Sequence, residues 1–377
     1  MAPLTINFDC DSQRFDWMER MQFWDSMRPW FLARGYMLYH YEYVRNDRGQ
    51  IEDIAYVYPA RAFEGDIRYP YSFFGGDPPD STDRPHNGSA LPRIIFAQDS
   101  QYRHVAIKLV RNGSQEHRIY QFLDQDLSRD SLDSFKGILP PVDFLPLGDH
   151  LFVVMPRWGS AVYYPQFSSV NEALVFMRCL LKALSYLHKN LIVHRDISND
   201  NIVMNHFCAS GQMRFNTMRG PLRSAGHLVY ALLDFDISIQ FPPNLTPADM
   251  RLPSSLSWWG SYNQPADTAQ GELDYDPFAF DVGCLGVLFW DRFGHLLPTV
   301  PMLAPLIDGM VTRNIASRFT ATQALQFFEE FYLQITHAQL NFNPGWPAGG
   351  QPFVFDDIRA DRWRNLPDDF VRAWSHL

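Results

Sequence analysis

The spacing of apolar positions changes along the chain. Residues 13–34, "QRFDWMERMQFWDSMRPWFLAR", repeat Trp, Met and Phe at helical intervals, predicting a helix with one packed face, a break near Pro29 and a stop at Gly35. The runs "RIIFAQD" from Arg93 and "HVAIKLV" from His104 flank a short polar turn and read as two antiparallel strands. Leu174, Met177, Leu181 and Leu184 then recur at helical spacing, with Ser169 and Glu172 placed for a capping box. Further on, "ALLDFDIS" reads as a short strand ending in carboxylates, "FAFDVGCLGVLFW" as a buried helix, and "TATQALQFFEEFYLQI" as a capped amphipathic one. The Gly, Pro and Asp content of Phe73 to Ser89 marks a linker where local disorder is expected, and "NPGWPAGGQP" opens a last zone that ends in the helix "PDDFVRAWSHL". Strands early and helices late predict an α+β chain with two lobes of different class.

Composition narrows the function classes. With 377 residues, 46% of them hydrophobic and 15% aromatic, the chain can bury a large core and form a soluble globular protein of two or three domains or lobes. A formal net charge of -10 argues against nucleic acid and against an anionic membrane as partners, since both reward clustered Lys and Arg. Cys10, Cys179, Cys208 and Cys284 are scattered without C-x-x-C spacing, so neither a zinc site nor a disulfide framework is expected. The start "MAPLTINFDCD" has no signal-peptide character, and no apolar run reaches the roughly 18 residues of a membrane helix. A reducing intracellular compartment, cytoplasmic or nuclear, fits these features.

One segment resists a purely structural account. "VHRDISNDNIVM", Val193 to Met204, sets aspartates, asparagines and a His-Arg pair between apolar flanks, and each such group needs a partner or a metal if buried. Here the chain resembles eukaryotic-type protein kinases, with "VVMPRWG" also similar to kinase-like proteins of fungi. "VAIK" matches the third-strand lysine motif, "HRDISNDN" the catalytic loop, and "DFD" stands in the place of D-F-G, in the right order. Each string alone is weak: "VAIK" could be a strand with an exposed lysine, and "LLDFD" a strand and turn. Together they are specific.

The resemblance implies a bilobal protein-kinase-like fold over residues 91–335, with a small, mostly β N-lobe to about residue 155 and a larger helical C-lobe. Residues 1–90 would form an N-terminal helical extension and linker, and 336–377 a C-terminal extension. It implies ATP and Mg²⁺ as cofactors and a Ser/Thr hydroxyl of a protein or peptide as acceptor. Because phosphoryl transfer depends on alignment and charge neutralisation, each residue acquires a task. Lys108 would hold the α- and β-phosphates and Glu116 would pair with it; Asp196 would accept the hydroxyl proton; Asn201 and Asp234 would hold the metal. Met155 would be the gatekeeper, with Pro156, Arg157 and Trp158 forming the hinge against adenine. His194 would pack under Asp234-Phe235, Arg195 would pair with an acidic or phosphorylated activation segment, and Asp281 would anchor the catalytic loop. Asp200, where many relatives carry a glutamate, points to a basic substrate.

Several departures from the pattern bear on activity. No G-x-G-x-x-G precedes the first strand of the pair, and Glu116 follows Lys108 by only eight residues. Asp236 replaces the D-F-G glycine, and Ser198 stands where a lysine usually meets the γ-phosphate, with no Lys or Arg at 197–200. A long insert before Asp234 contains Arg214, Arg219 and Arg223, expected either as a solvated loop or as the missing positive charge. Three functions therefore stand side by side: an active Ser/Thr protein kinase, a pseudokinase acting as a nucleotide-binding or scaffold module, and a small-molecule kinase.

Overall fold

The computed structural model describes residues 17–45, 48–49, 51–57, 67–77, 93–129, 131–208, 213–260, 264–265, 267, 272–345 and 361–375. Most of the linker expected at 73–89 and much of "NPGWPAGGQP" lie outside them. The mixture of helix and sheet agrees with the α+β expectation. The chain divides into two compact units, neither continuous in sequence: unit 1 comprises 1–135, 139–160 and 204–221, and unit 2 comprises 136–138, 161–203 and 222–377.

Unit 1 is organised by a five-stranded sheet. In chain order its first elements are α1 (Trp17–Leu32), β1 (Met37–Leu38), β2 (His40–Arg45), β3 (Ile51–Val57), β4 (Phe73–Phe74), β5 (Ile94–Gln98) and β6 (His104–Arg111), followed by α2 (Gln115–Asp126), β7 (Asp143–Leu147) and β8 (His150–Pro156). The sheet order is β1-β5-β6-β8-β7, every neighbouring pair antiparallel. Strand alternation sorts its residues onto two faces. Ile95, Ala97, Val105, Ile107, Leu109, Phe152 and Val154 form one apolar face, which α1 covers with Phe23, Trp24, Met27 and Phe31. Ring centroids of Phe31 and Phe152 lie 4.8 Å apart, edge to face. Lys108, Ala106 and Met155 belong to the opposite set of positions.

The expected break at Pro29 does not occur: α1 continues to Leu32, and Ala33 N–H bonds the Pro29 carbonyl at 3.1 Å. Proline has no N–H to give the Asp25 carbonyl, but both residues are exposed, so solvent can supply the missing donor. The chain turns at Gly35, whose φ of 85° suits a residue without Cβ.

In unit 2, α3 (Val170–Lys189) is the long central helix. Ser169 caps it by accepting from Glu172 N–H at 3.4 Å, whereas the Glu172 carboxylate reaches back to Ser168, accepting from its N–H at 2.7 Å and its hydroxyl at 2.6 Å. The capping box is thus offset by one residue on the return bond. The helix Pro277–Phe293 is buried along most of its length, and Ala321–Tyr332 starts in a reciprocal Thr320/Gln323 capping box, as its sequence predicts. No helix among the described residues is long and apolar enough to cross a membrane. Cys179, Cys208 and Cys284 are buried, and none forms a disulfide among the described residues.

Candidate active site

Unit 1 carries Lys108, Glu116 and the Met155–Trp158 run. A turn of three residues separates β6 from α2, which Ser114 caps by accepting from His117 N–H. That tight connection places Glu116 in the first helical turn with its Oε1 2.5 Å from Lys108 Nζ. Both side chains are buried, so a solvated first-turn glutamate is ruled out. A charge pair this secluded persists because removing either member strands the other, which costs about 3–5 kcal/mol. Met155 is buried in β8 opposite Ala106.

The side chains of Arg157 and Trp158 pack within unit 1. The Arg157 guanidinium lies 3.9 Å from the Phe96 ring centroid and 4.5 Å from that of Phe207, and Trp158 Nε1 donates to the Pro70 carbonyl at 2.8 Å. Arg157 N–H bonds the His104 carbonyl at 3.0 Å, and its own carbonyl accepts from the Ser72 hydroxyl at 2.5 Å. Burial, with Arg157 next in weight, pushes the His104 imidazole down to about 3, so it stays neutral beside that cation and shares a hydrogen bond with Tyr39 OH at 2.5 Å through Nδ1. The main-chain N–H and C=O of Trp158, by contrast, make no hydrogen bond with the described residues. Sequence reasoning missed the strap formed by Pro70 and Ser72; no periodicity marks it, because it follows from long-range pairing of β4 with the His206–Phe207 strand.

Unit 2 carries Asp196, Asn201, Asp234 and Asp281. The strand Ile192–Val193 pairs with Ile239–Gln240, and the loop after it is tied to the Pro277–Phe293 helix through Asp281. Fully buried, Asp281 accepts from His194 N–H and Arg195 N–H, each at 2.7 Å, with His188 Nε2 at 3.2 Å. Asn201 Nδ2 donates to Asp196 Oδ2 at 2.8 Å and to the Asp196 carbonyl at 2.9 Å. Its Oδ1 has no hydrogen bond among the described residues. Leu233 N–H bonds the Asn201 carbonyl at 3.0 Å, holding Asp234 beside this loop. The His194 ring packs 5.6 Å from the Phe235 ring, and its Nε2 faces the Leu233 carbonyl at 3.0 Å.

Electrostatics distinguishes Asp196. Burial raises its carboxyl above the usual carboxylate range; His194 and the Asn201 hydrogen bond oppose the shift, while Asp234 and Asp200 add to it. A half-buried carboxylate with a raised proton affinity is suited to accept a proton.

The left-handed dihedral in this turn falls on Asp234, whose φ is 71°, and Asp236 N–H bonds Asp234 Oδ1 at 3.1 Å. A short polar side chain that bonds its own backbone tolerates that conformation. The insert's arginines lack the common role considered for them. In unit 1, Arg219 is fully buried and donates to His206 Nδ1 at 2.9 Å and the Ser160 carbonyl at 3.2 Å. In unit 2, Arg223 is buried against Phe167 and donates to Tyr230 OH at 3.0 Å and the Pro165 carbonyl at 2.8 Å. Both hold structure together; Arg214 stacks on its neighbour Phe215.

The residues fit a magnesium ion. Asn201 Oδ1 and the Asp234 carboxylate are hard oxygen donors, and Mg²⁺ characteristically takes one or two protein ligands and completes its shell with water and phosphate. Among the described residues no group of three or more His, Cys, Asp or Glu could hold a metal ion.

Comparison with known proteins points the same way. No family model matches the chain. It is similar to the serine/threonine-protein kinase PknA of Nostoc sp., 24% identical over 254 residues covering 61% of this chain and 43% of that protein. It is also similar to cyclin-dependent kinase 2 of Caenorhabditis elegans, 24% identical over 242 residues covering 58% of this chain and 56% of that protein. Over 121 residues it is 30% identical to the serine/threonine-protein kinase PAK 5 of Rattus norvegicus, covering 31% of this chain and 17% of that one. The chain thus spans less than two thirds of the length of these relatives. The similarities support a place in the protein kinase superfamily.

Proposed function

We propose that the protein transfers the γ-phosphoryl group of ATP to a Ser or Thr hydroxyl of a protein or peptide. The observation that carries this reading is the Asp196–Asn201 pair: a carboxylate of raised proton affinity, oriented by an amide whose remaining oxygen is open to a metal. In unit 1, the uncommitted Trp158 N–H and C=O supply the hydrogen-bonding edge a purine needs, with Met155 behind it, and the Lys108–Glu116 pair holds an ammonium ready for phosphate. In unit 2, Asp196 orients the acceptor hydroxyl and takes its proton as the oxygen–phosphorus bond forms and the bond to the ADP oxygen breaks; Asn201 and Asp234 would hold Mg²⁺. Bound there, Mg²⁺ would neutralise phosphate charge.

The absence of a glycine-rich loop has a topological counterpart. β1 and β5 are neighbours, and residues 39–93, including the β2–β3 hairpin, connect them where a kinase has its short phosphate loop. Phosphate contacts would then rest on Lys108 and the metal. The likeness to kinase-like proteins of fungi rests on "VVMPRWG" alone.

A second reading, a nucleotide-binding scaffold, draws support from Ser198 in the place of the usual lysine and from the structural engagement of Arg219 and Arg223, which leaves that charge unreplaced.

Saturating MgATP is expected to raise the melting temperature, because a ligand that binds only the folded state stabilises it by roughly 2.7 kcal/mol at one hundred times Kd. Asp234→Ala should remove most of that shift. A wild-type protein indifferent to nucleotide, with or without metal, would sink both readings.

Asp200 is exposed on the catalytic loop and the protein is acidic, so a Ser/Thr peptide with basic flanking residues is the expected substrate. In a positional peptide library, basic flanks should be preferred several-fold, and Asp200→Ala should erase the preference. Selection of acidic flanks would contradict it.

A further inference from the structure

Arg195 was expected to await an acidic or phosphorylated group on the segment that follows Asp234. Among the described residues, no carboxylate of that segment bonds its side chain. The side chain is only 6% exposed, and its guanidinium is already engaged: Nη1 donates to the Ile237 carbonyl at 2.6 Å, Nη2 to the Leu256 carbonyl at 2.6 Å, and Nε approaches Tyr275 OH at 3.4 Å. One cation thereby ties both ends of the 237–256 stretch to the loop that carries Asp196. Charge-assisted bonds to neutral carbonyls are among the stronger hydrogen bonds, and they place no negative charge beside Asp196.

Three further contacts close the same junction. Arg195 has a φ of 68° and is held there by its N–H bond to Asp281 Oδ1. Ser238 Oγ donates to the His194 carbonyl at 2.9 Å. Gly260 packs so closely that an added Cβ would lie 2.2 Å from the Arg195 oxygen, an approach only glycine permits.

We infer that Arg195 is a positioning residue that fixes segment 237–260 through main-chain carbonyls, so that the protein reaches its working conformation with no phosphate on that segment. A phosphate competing for the guanidinium would have to displace the Ile237 and Leu256 carbonyls and leave them without their donor. Of the hydroxyls on 237–260, Ser238 and Ser257 are buried and donate to the His194 and Ser254 carbonyls, Ser254 is half-buried, and Thr246 and Ser255 are exposed.

The activity arm of the test rests on the phosphoryl-transfer reading; the exchange arm does not. Full-length protein stripped of phosphate with phosphatase, and confirmed unmodified by mass spectrometry, is expected to turn over a basic Ser/Thr peptide within twofold of untreated protein. Thr246→Glu and Ser255→Asp should likewise stay within twofold. A larger activation by either phosphomimetic variant, or a larger loss on phosphatase treatment, would overturn the inference. In parallel, Arg195→Lys, which keeps the charge but lacks the fork that spans two carbonyls, should accelerate amide hydrogen exchange across 237–260 at least tenfold, with exchange in α3 unchanged. Unchanged exchange in 237–260 would overturn the clamp. Should the wild-type protein show no turnover in any phosphorylation state, the phosphoryl-transfer reading fails by itself, and the exchange result still decides what Arg195 does.

Discussion

Asp196→Asn is expected to lower peptide phosphorylation by roughly 10²–10⁴-fold, the usual contribution of a positioned general base, while nucleotide affinity stays within a few-fold. The separation follows from the geometry. Asn201 donates to Asp196 Oδ2 and to the Asp196 main-chain carbonyl, so an amide at position 196 preserves the loop and one acceptor oxygen but cannot take a proton. Single-turnover assays alongside nucleotide titration would resolve the two effects. Equal turnover in variant and wild type would remove Asp196 from the chemistry and favour the scaffold reading. The pH profile provides an independent check: only the carboxylate accepts a proton, so transfer should be full at neutral pH and fall as pH drops through the Asp196 pKa. Because burial raises that pKa, the loss should begin above the ordinary aspartate value of about 3.9.

A large stability effect is expected from Asp281→Ala. This carboxylate is fully buried and satisfies two main-chain N–H groups, those of His194 and Arg195, together with His188. Alanine would leave both N–H groups without an acceptor in a dry environment, at about 1–3 kcal/mol for each, and would add a small void, for a total on the order of 3–5 kcal/mol. At about 2–4 °C per kcal/mol for a unit of this size, the melting temperature should fall by roughly 6–20 °C. Asp281→Asn, which keeps one acceptor oxygen, should lose less. A thermal scan showing Asp281→Ala within a degree or two of wild type would mean that the loop is held by other contacts. Because Arg195 is anchored through the same carboxylate, this substitution should also loosen segment 237–260.

What the sequence made legible were features whose cause is local. The alternation in "HVAIKLV", the Leu174–Leu184 spacing and the Thr320/Gln323 cap each fix an element through neighbours a few residues away, and the structure has those elements. The order of the three motifs singled out Lys108, Asp196, Asn201 and Asp234 as candidates; the structure places the first in unit 1 and the other three in unit 2. Features set by distant contacts were not legible. β1 is two residues long and exists because β5 pairs with it. Arg219 and Arg223 carry charges that a single sequence cannot distinguish from solvated ones, yet His206, Tyr230 and main-chain carbonyls bury them. Pro29 breaks helices by rule but falls on the solvent-exposed side of α1. The strap over Arg157 and Trp158 depends on β4 meeting a strand more than one hundred residues later.

That last pairing bears on how the chain acquires its structure. Unit 1 needs the His206–Phe207 strand to complete the surroundings of Arg157, so it cannot finish forming until residues 161–203, which belong to unit 2, have already been made. During synthesis, α1 emerges well before the strands it packs on, and the face carrying Trp24 and Phe31 is not fully covered until Phe152 has been made. Contacts of such sequence separation slow folding and prolong the lifetime of exposed apolar surface. No single cut in the chain would release either unit intact, so the two are obliged to mature together.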